Sequence, residues 1–247
     1  MLALRSVSVS FHDSGRVVPV LENLTLEIPD RQFLCIAGPS GCGKSILLRV
    51  MMGLLPPTSG TVLNQGLPLS GVNLKAAMVF QSFALLPWLT VQANVELGLR
   101  ARDLSEEDAR RRAAFYLDKV GLDGYEEAYP AELSGGMKQR AGLARALAVE
   151  PDVLFMDEPF AGLDPLTSAN LREEVLTLWS DQDLPVRTVV MVTHIIEEAV
   201  LMADRVVILS GRPGRVAADL PIPLERPRDK RHEGFDRLVD SIFERIV

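Results

Sequence analysis

The sequence predicts an α/β fold, in which a mainly parallel sheet surrounds a phosphate-binding loop. An antiparallel β-subdomain lies at the N-terminus, and an α-helical subdomain is inserted further along. Three observations carry this. Gly38-Pro39-Ser40-Gly41-Cys42-Gly43-Lys44-Ser45 fits G-x-x-x-x-G-K-[ST] between a short apolar run and a helical stretch. Val153-Leu154-Phe155-Met156 is a second unbroken apolar run, as expected of a parallel strand buried on both faces, and Asp157-Glu158 follows it directly. Between about Ser82 and Tyr129 the apolar residues adopt helical spacing.

Size and charge narrow the function. A chain of 247 residues with 47% hydrophobic and 24% charged residues builds one or two domains with a sizeable core. A net charge of −7 argues against a nucleic-acid partner and gives no support for lying on anionic lipid. Two cysteines, Cys35 and Cys42, are too few for a disulfide framework and point to a reduced, cytosolic setting. Cys42 stands near a helix N-terminus, where thiols can become reactive, but a small loop residue is the favoured reading. No apolar run reaches bilayer-spanning length; the nearest, Ile46 to Leu55, is short and carries Arg49. The N-terminal residues lack a basic region ahead of an apolar stretch, so no signal peptide is expected. Work at a membrane therefore requires recruitment by a partner.

The elements follow in order. Leu4, Val7, Val9 and Phe11 set against Arg5, Ser6, Ser8 and Ser10 predict a half-buried strand, ended by the turn His12-Asp13-Ser14-Gly15. Leu24, Leu26 and Ile28 predict a second strand, and the pair suggests a small antiparallel sheet. Phe33 to Ala37 reads as a buried strand and Ile46 to Met52 as a helix. Pro56 to Gly60 breaks the chain before a hairpin around Asn64-Gln65-Gly66. Ala77 to Phe80 is an apolar strand. Helices are expected over Val91 to Arg102 and from a Ser105-Glu106-Glu107-Asp108 capping box to Gly121, with Arg110 to Arg112 on its solvated face. Another opens at Ser134-Gly135-Gly136. Gly162-Leu163-Asp164-Pro165 reads as a turn, Asn170 to Trp179 as a helix and Thr188 to Val192 as a strand. A hairpin around Gly211-Arg212-Pro213-Gly214 closes the sheet, and a tail helix presents Phe235, Leu238, Val239, Ile242 and Phe243 on one face. The basic segment 226–231 has no evident role.

The chemistry concentrates at strand ends. In the Gly38–Ser45 loop, glycines let successive N–H groups curl inward toward an anion. Lys44 supplies a point charge for the β- and γ-phosphates, and the Ser45 hydroxyl suits Mg²⁺. The dipole of the following helix adds to the attraction. Ser134, with free N–H groups at a second helix head, forms another anion-type site. Of the two carboxylates Asp157 and Glu158, one can support Mg²⁺ through water and the other can orient or deprotonate attacking water. His194, just past a strand at the same sheet edge, reads as a γ-phosphate contact. Gln81 reads alone as a polar strand cap, and Phe11 as either core or a stacking surface.

In this order, the P-loop, Gln81, Leu133-Ser134-Gly135-Gly136-Met137, Val153 to Glu158, Gly162-Leu163-Asp164 and His194 resemble the ATP-binding cassette (ABC) transporter ATPase family over nearly the whole chain. The resemblance implies a P-loop NTPase core, ATP and Mg²⁺ as ligands, and a role for each position. Gly38 to Ser45 would be the Walker A loop, with Phe11 stacked on adenine and Ile46 in the phosphate site. Gln81 would be the Q-loop residue that senses the γ-phosphate and metal. Ser134 to Met137 would be the signature loop, which acts on the partner's nucleotide. Asp157 would be the Walker B metal residue beside Ser45 and Gln81, Glu158 the residue that polarises water, Asp164 the D-loop residue and His194 the switch histidine. Met137 stands where the family usually has Gln, and Ile46 where it often has Thr.

Phe83 to Thr90, Leu209 to Val216 and the short tail resemble more narrowly the nitrate/sulfonate/taurine importer branch. The expected protein is a homodimeric ATPase peripheral to the cytoplasmic face of the plasma membrane. It would be bound to integral-membrane permease subunits and served indirectly by a solute-binding protein. The expected division is one ABC domain, with core and β-subdomain at 1–81 and 151–220, helical subdomain at about 82–150, and linker plus helix at 221–247. A soluble ABC-type ATPase of DNA repair or translation is the alternative. Its long coiled coil or second cassette is not seen in the sequence. An exporter or a catalytically dead subunit fits less well, given the unfused chain and the presence of Lys44 and Glu158.

Overall fold

The computed structural model describes residues 1–246. Along the chain the elements are β1 (Leu2–Asp13), β2 (Arg16–Ile28), β3 (Phe33–Ala37), α1 (Lys44–Met51), β4 (Ser59–Asn64), β5 (Leu67–Pro68), β6 (Ala76–Val79), α2 (Val91–Arg100) and α3 (Glu106–Lys119). They continue with α4 (Gly135–Ala148), β7 (Val153–Asp157), α5 (Pro165–Ser180), β8 (Thr188–Thr193), α6 (Ile196–Met202), β9 (Arg205–Ser210), β10 (Arg215–Pro221) and α7 (Glu233–Phe243). They form two compact units, Met1–Leu74 with Arg187–Val247, and Lys75–Val186.

In the first unit β2, β1, β4 and β5 form an antiparallel sheet. Leu4 and Val7 are three residues apart yet both buried, because a register shift separates them and Ser6 takes a left-handed φ of 48°. This bulge restores the inward face that strict alternation would lose. The second sheet of this unit has β3 at its centre, parallel to both β8 and β9, with β10 antiparallel on β9. Every residue of β3 and β8 is buried, which is why both read as unbroken apolar runs.

The basic segment that the sequence left unexplained clamps α6. The Arg228 guanidinium donates to the carbonyls of Val200 (2.7 Å), Ala203 (2.6 Å) and Leu224 (2.8 Å). Arg226 bonds the Asp204 carboxylate at 2.5 Å and also donates to the Met202 carbonyl, while Lys230 pairs with Glu197. These donors satisfy carbonyls that α6 leaves open at its C-terminus. Burial pushes the Arg228 guanidinium down to about 10. The tail helix α7 packs on α6 and buries Phe235 and Ile242, whereas Phe243 is 56% exposed and leaves the expected apolar face.

In the second unit β6 and β7 pair in parallel, and α2, α3 and α4 pack on one another. Three of its helices start on capping side chains, of which the sequence predicted Ser105. Thr90, Ser105 and Ser134 accept from the N–H groups of Ala93, Asp108 and Met137. At Ser105 the Asp108 carboxylate accepts from the hydroxyl itself at 2.7 Å. Helix α5 begins five residues earlier than expected, since Asp164 caps it and Pro165 occupies its first position. β6 ends at Val79, so Phe80 falls outside it and is exposed.

Replacing Arg228 with Ala is expected to lower unfolding free energy by about 2 kcal/mol, the scale of lost hydrogen bonds to a charged group. Arg228→Lys should recover only part of this, because an ammonium lacks the planar fork. Urea unfolding midpoints of the three proteins check it.

Candidate functional site

The first unit contributes the phosphate loop. β3 delivers the chain to Gly38, and α1 departs from Gly43, whose φ of 98° lies in the left-handed region. Packing also demands glycine at both ends. A Cβ at Gly38 would run into the Leu209 carbonyl, and one at Gly43 would lie 2.6 Å from a Leu21 methyl. Gly43 offers α1 no capping side chain, so the first-turn N–H groups meet no competing oxygen there. Lys44 is only 6% exposed, and its Nζ donates to the carbonyls of Gly38 (2.8 Å) and Pro39 (2.9 Å). The ammonium is thus seated inside the curl of the loop. Ser45 and Ile46 are half-buried in the first turn of α1.

The turn at 211–214 braces the loop from outside. The Gly214 N–H donates to the Val20 carbonyl at 2.8 Å, and its own carbonyl accepts from the Glu22 N–H at 3.0 Å. Arg212 Nη2 donates to the Ser40 carbonyl at 3.2 Å. Sequence reasoning missed this residue, since its hairpin gave no sign of lying against a loop 172 positions earlier. Cys42 is buried, and burial raises its thiol, with Lys44 pulling the other way. The small-residue reading of Cys42 therefore stands.

Parallel register places His194 beside the loop's entrance. Ala37 and Thr193 are ladder partners, so Gly38 and His194 each stand one residue beyond the last pair. Both lie at the carboxyl ends of parallel strands, where ligands bind in open α/β sheets. His194 is exposed. Phe11 is paired with Val18 near the tip of the β1–β2 hairpin and is 38% exposed, so it is not a core residue.

The second unit assembles the remaining candidates around α4. The β6–β7 ladder ends at Val79 and Met156, so Gln81 and Glu158 each stand two residues past it. Asp157 closes β7 and is half-buried. Glu158 adopts φ 46°, an uncommon conformation for a residue with a side chain and one that recurs at active sites. Ser134 caps α4, its Oγ accepting from the Met137 N–H at 3.3 Å. Gly135 lies against Leu163, and Gly136 presses so closely on α5 that a Cβ there would lie 2.5 Å from the Thr167 methyl. Ser134 to Met137 and Asp164 are therefore neighbours. The Thr167 hydroxyl, then its N–H, holds the Asp164 carboxyl below its usual range.

Three further residues of this unit escaped sequence reasoning. Gln139, buried on α4, donates from Nε2 to the Pro159 carbonyl at 2.6 Å and ties the helix to the segment after Glu158. Arg145, nearer the other end of α4, donates to the carbonyls of Phe83 (3.0 Å) and Ala84 (2.5 Å), both at left-handed φ. Buried Asn94 pins the same loop through Leu86, accepting from its N–H at 2.7 Å and donating to its carbonyl at 3.1 Å. A polar residue on the apolar side of a helical pattern was the one available sign of Asn94. One helix thus carries the Ser134 loop and holds both the Gln81 loop and the Glu158 segment.

A glycine-rich loop enclosing a lysine between a buried strand and a helix defines a nucleotide-binding P-loop protein. The family model described as ABC transporter matches residues 21–161. The nitrate import ATP-binding protein NrtD of Synechocystis is 44% identical over 237 residues, covering 92% of this chain and 88% of that protein. The aliphatic sulfonates import ATP-binding protein SsuB of Bacillus cereus is 36% identical over 245 residues, covering 99% and 95%. Among solved structures, a dimeric ATP-binding cassette in a post-hydrolysis state bound to ADP and Pi superposes with a TM-score of 0.79. It is 32% identical, covering 91% of this chain and 100% of that one. The chain belongs to the ABC transporter family, as one of its ATP-hydrolysing cassettes.

Alkylation of Cys42 by iodoacetamide at pH 7.5 is expected to run at least about tenfold slower than that of a free thiol, because burial removes both access and thiolate. Peptide mass spectrometry over a time course measures this.

Proposed function

We propose that this chain is the ATP-hydrolysing subunit of an ABC importer, energising uptake of a small solute such as nitrate, a sulfonate or taurine through a separate membrane permease. The observation that carries the reading is that one chain holds two glycine-flanked helix heads, α1 behind the Gly38–Ser45 loop and α4 behind Ser134, each read as an anion site. A single nucleotide needs only the first. The second is explained if it serves a nucleotide held by another copy. Support for import comes from the relatives named for nitrate and sulfonate import. Among the described residues no helix is long and apolar enough to cross a membrane, so the permease is taken to be a separate partner.

In this reading the whole chain is one ABC ATPase domain, with its helical subdomain at about 82–150. Two chains enclose two ATP molecules. Phe11 stacks on adenine, the loop N–H groups from Gly38 to Ile46 hold the phosphates, and Lys44 neutralises the β- and γ-phosphates. Ser134, Gly135, Gly136 and Met137 of the second copy close over the γ-phosphate, with Asp164 across the interface. Ser45, Gln81 and Asp157 offer a hydroxyl, an amide carbonyl and a carboxylate, all hard oxygen donors of the kind Mg²⁺ takes. Magnesium, when bound, neutralises charge on the phosphates. Glu158 orients a water and takes its proton as the water oxygen attacks the γ-phosphorus. The bond to the β–γ bridging oxygen breaks, leaving ADP and phosphate. His194 contacts the γ-phosphate, and Gln81 reports its loss toward the permease. Closure on ATP and opening after hydrolysis would drive alternating access.

Glu158→Gln is expected to bind ATP, hydrolyse it about 100-fold or more slowly, and elute as a stable dimer with ATP, given the usual contribution of a general base. Lys44→Ala should remain monomeric under the same conditions. Size exclusion with light scattering and a phosphate-release assay make the test. A Glu158→Gln protein that stays monomeric with ATP and hydrolyses at the parent rate would sink the reading.

A further inference from the structure

His194 is flanked by a hydrogen-bond relay that no role so far described uses. Helix α6 starts from Ile195, a residue with no side chain able to cap it. The Ile195 N–H is instead bonded to the Thr193 hydroxyl oxygen at 3.0 Å. That same hydroxyl donates to the Glu198 carboxylate at 2.8 Å. Glu198 is 5% exposed, on the third helical position, where a glutamate commonly reaches back to the cap residue. Here Thr193 stands between them. Because its proton is committed to Glu198, its lone pairs face the Ile195 N–H, and the two bonds fix each other's direction.

The relay brackets one residue. Thr193 is locked by the ladder to Ala37, and Ile195 is locked by the hydroxyl of Thr193. His194 lies between two fixed backbone positions, so its Cα has little freedom although its side chain is exposed. The Cys35 thiol, on the neighbouring strand, is raised first by burial and then by Glu198, while Lys44 acts in the opposite sense. The Glu198 carboxylate is buried and held by the Thr193 hydroxyl, and an unpaired acceptor there is costly.

We propose that Thr193 and Glu198 are positioning residues for His194, a buried hydroxyl–carboxylate relay that holds the histidine at the γ-phosphate end of β8. The proposal rests on the reading of His194 as a γ-phosphate contact. Thr193→Val keeps the shape and removes both bonds, so His194 gains freedom while the phosphate loop is untouched. Misplacing a catalytic group by about an ångström is enough to cost turnover heavily.

The test compares Thr193→Val, Thr193→Ser, Glu198→Gln and His194→Ala in the full chain. The readouts are ATP turnover at saturation, ATP affinity by equilibrium binding and thermal unfolding. Thr193→Val is expected to lose about tenfold in kcat with ATP affinity within about twofold of the parent, whereas Thr193→Ser, which keeps the hydroxyl, restores turnover. Glu198→Gln, which keeps an acceptor, should also turn over ATP near the parent rate. If Thr193→Val turns over normally while His194→Ala does not, the relay is wrong and the histidine's role stands. If His194→Ala turns over normally, the reading of His194 itself fails. Loss in Thr193→Val that Ser does not restore, or that comes with equal loss of ATP affinity, overturns the proposal as well. Should Thr193→Val fail to fold, Glu198→Ala, which removes the acceptor, decides: a loss of turnover with intact ATP binding that Glu198→Gln does not share supports the relay, and parent turnover in Glu198→Ala overturns it.

Discussion

A phosphate loop is made of backbone, and the rest of its unit exists to keep that backbone in an unusual path. Inward-facing N–H groups require left-handed turns at Gly41 and Gly43, one of several conformations open to glycine, so the surroundings must select it. The support is close packing. Gly38 lies against the Leu209 carbonyl and Gly43 against Leu21, while Arg212 and the Gly214 backbone close the outside. Lys44 completes the arrangement by donating to two loop carbonyls, those of Gly38 and Pro39. The strand order with β3 between β8 and β9 follows, because only a strand buried on both sides can present the loop so rigidly.

In the second unit a single helix has the comparable role. The head of α4 is capped by Ser134, its side carries Gln139 to the segment after Glu158, and Arg145 grips the loop after Gln81. A shift of α4 therefore moves the loop after Gln81, the segment after Glu158 and the Ser134 loop together. Rigid elements with few discrete arrangements are what couple separated sites in proteins. Glu158 itself sits at φ 46°, and such backbone strain persists only where surrounding contacts hold it.

The residues legible in the sequence are those whose local backbone needs dictate their type. Gly38 to Ser45, Ser134 and the Asp157-Glu158 pair stand out because glycines, caps and strand-end carboxylates obey short-range rules. The α/β class followed from two unbroken apolar runs. What stayed hidden is long-range. Arg212 meets Ser40 across 172 positions and Arg145 meets Ala84 across 61, and nothing near any of these residues advertises the contact. Arg226 and Arg228 had no evident role in the sequence because most of their acceptors are backbone carbonyls, which no side-chain pattern can reveal. The start of α5 was hidden for a different reason. Asp164-Pro165 is equally a turn and a cap followed by a first helical residue, and the neighbouring Gly162 weighted the reading toward the turn.

The account depends on a nucleotide shared between two copies of this chain, and mixing two damaged chains tests that most directly. In a Glu158→Gln background, one chain carries Lys44→Ala and the other carries Ser134→Arg. Each alone places a lesion in both shared sites and should retain no ATP through gel filtration. Mixed, they form one intact site, from the undamaged phosphate loop of one chain and the undamaged Ser134 loop of the other. ATP retention should return at about one nucleotide per pair of chains, the stoichiometry that a closed dimer with a single intact site demands. A mixture that retains none, while the unmixed Glu158→Gln parent does, would contradict a site built in trans.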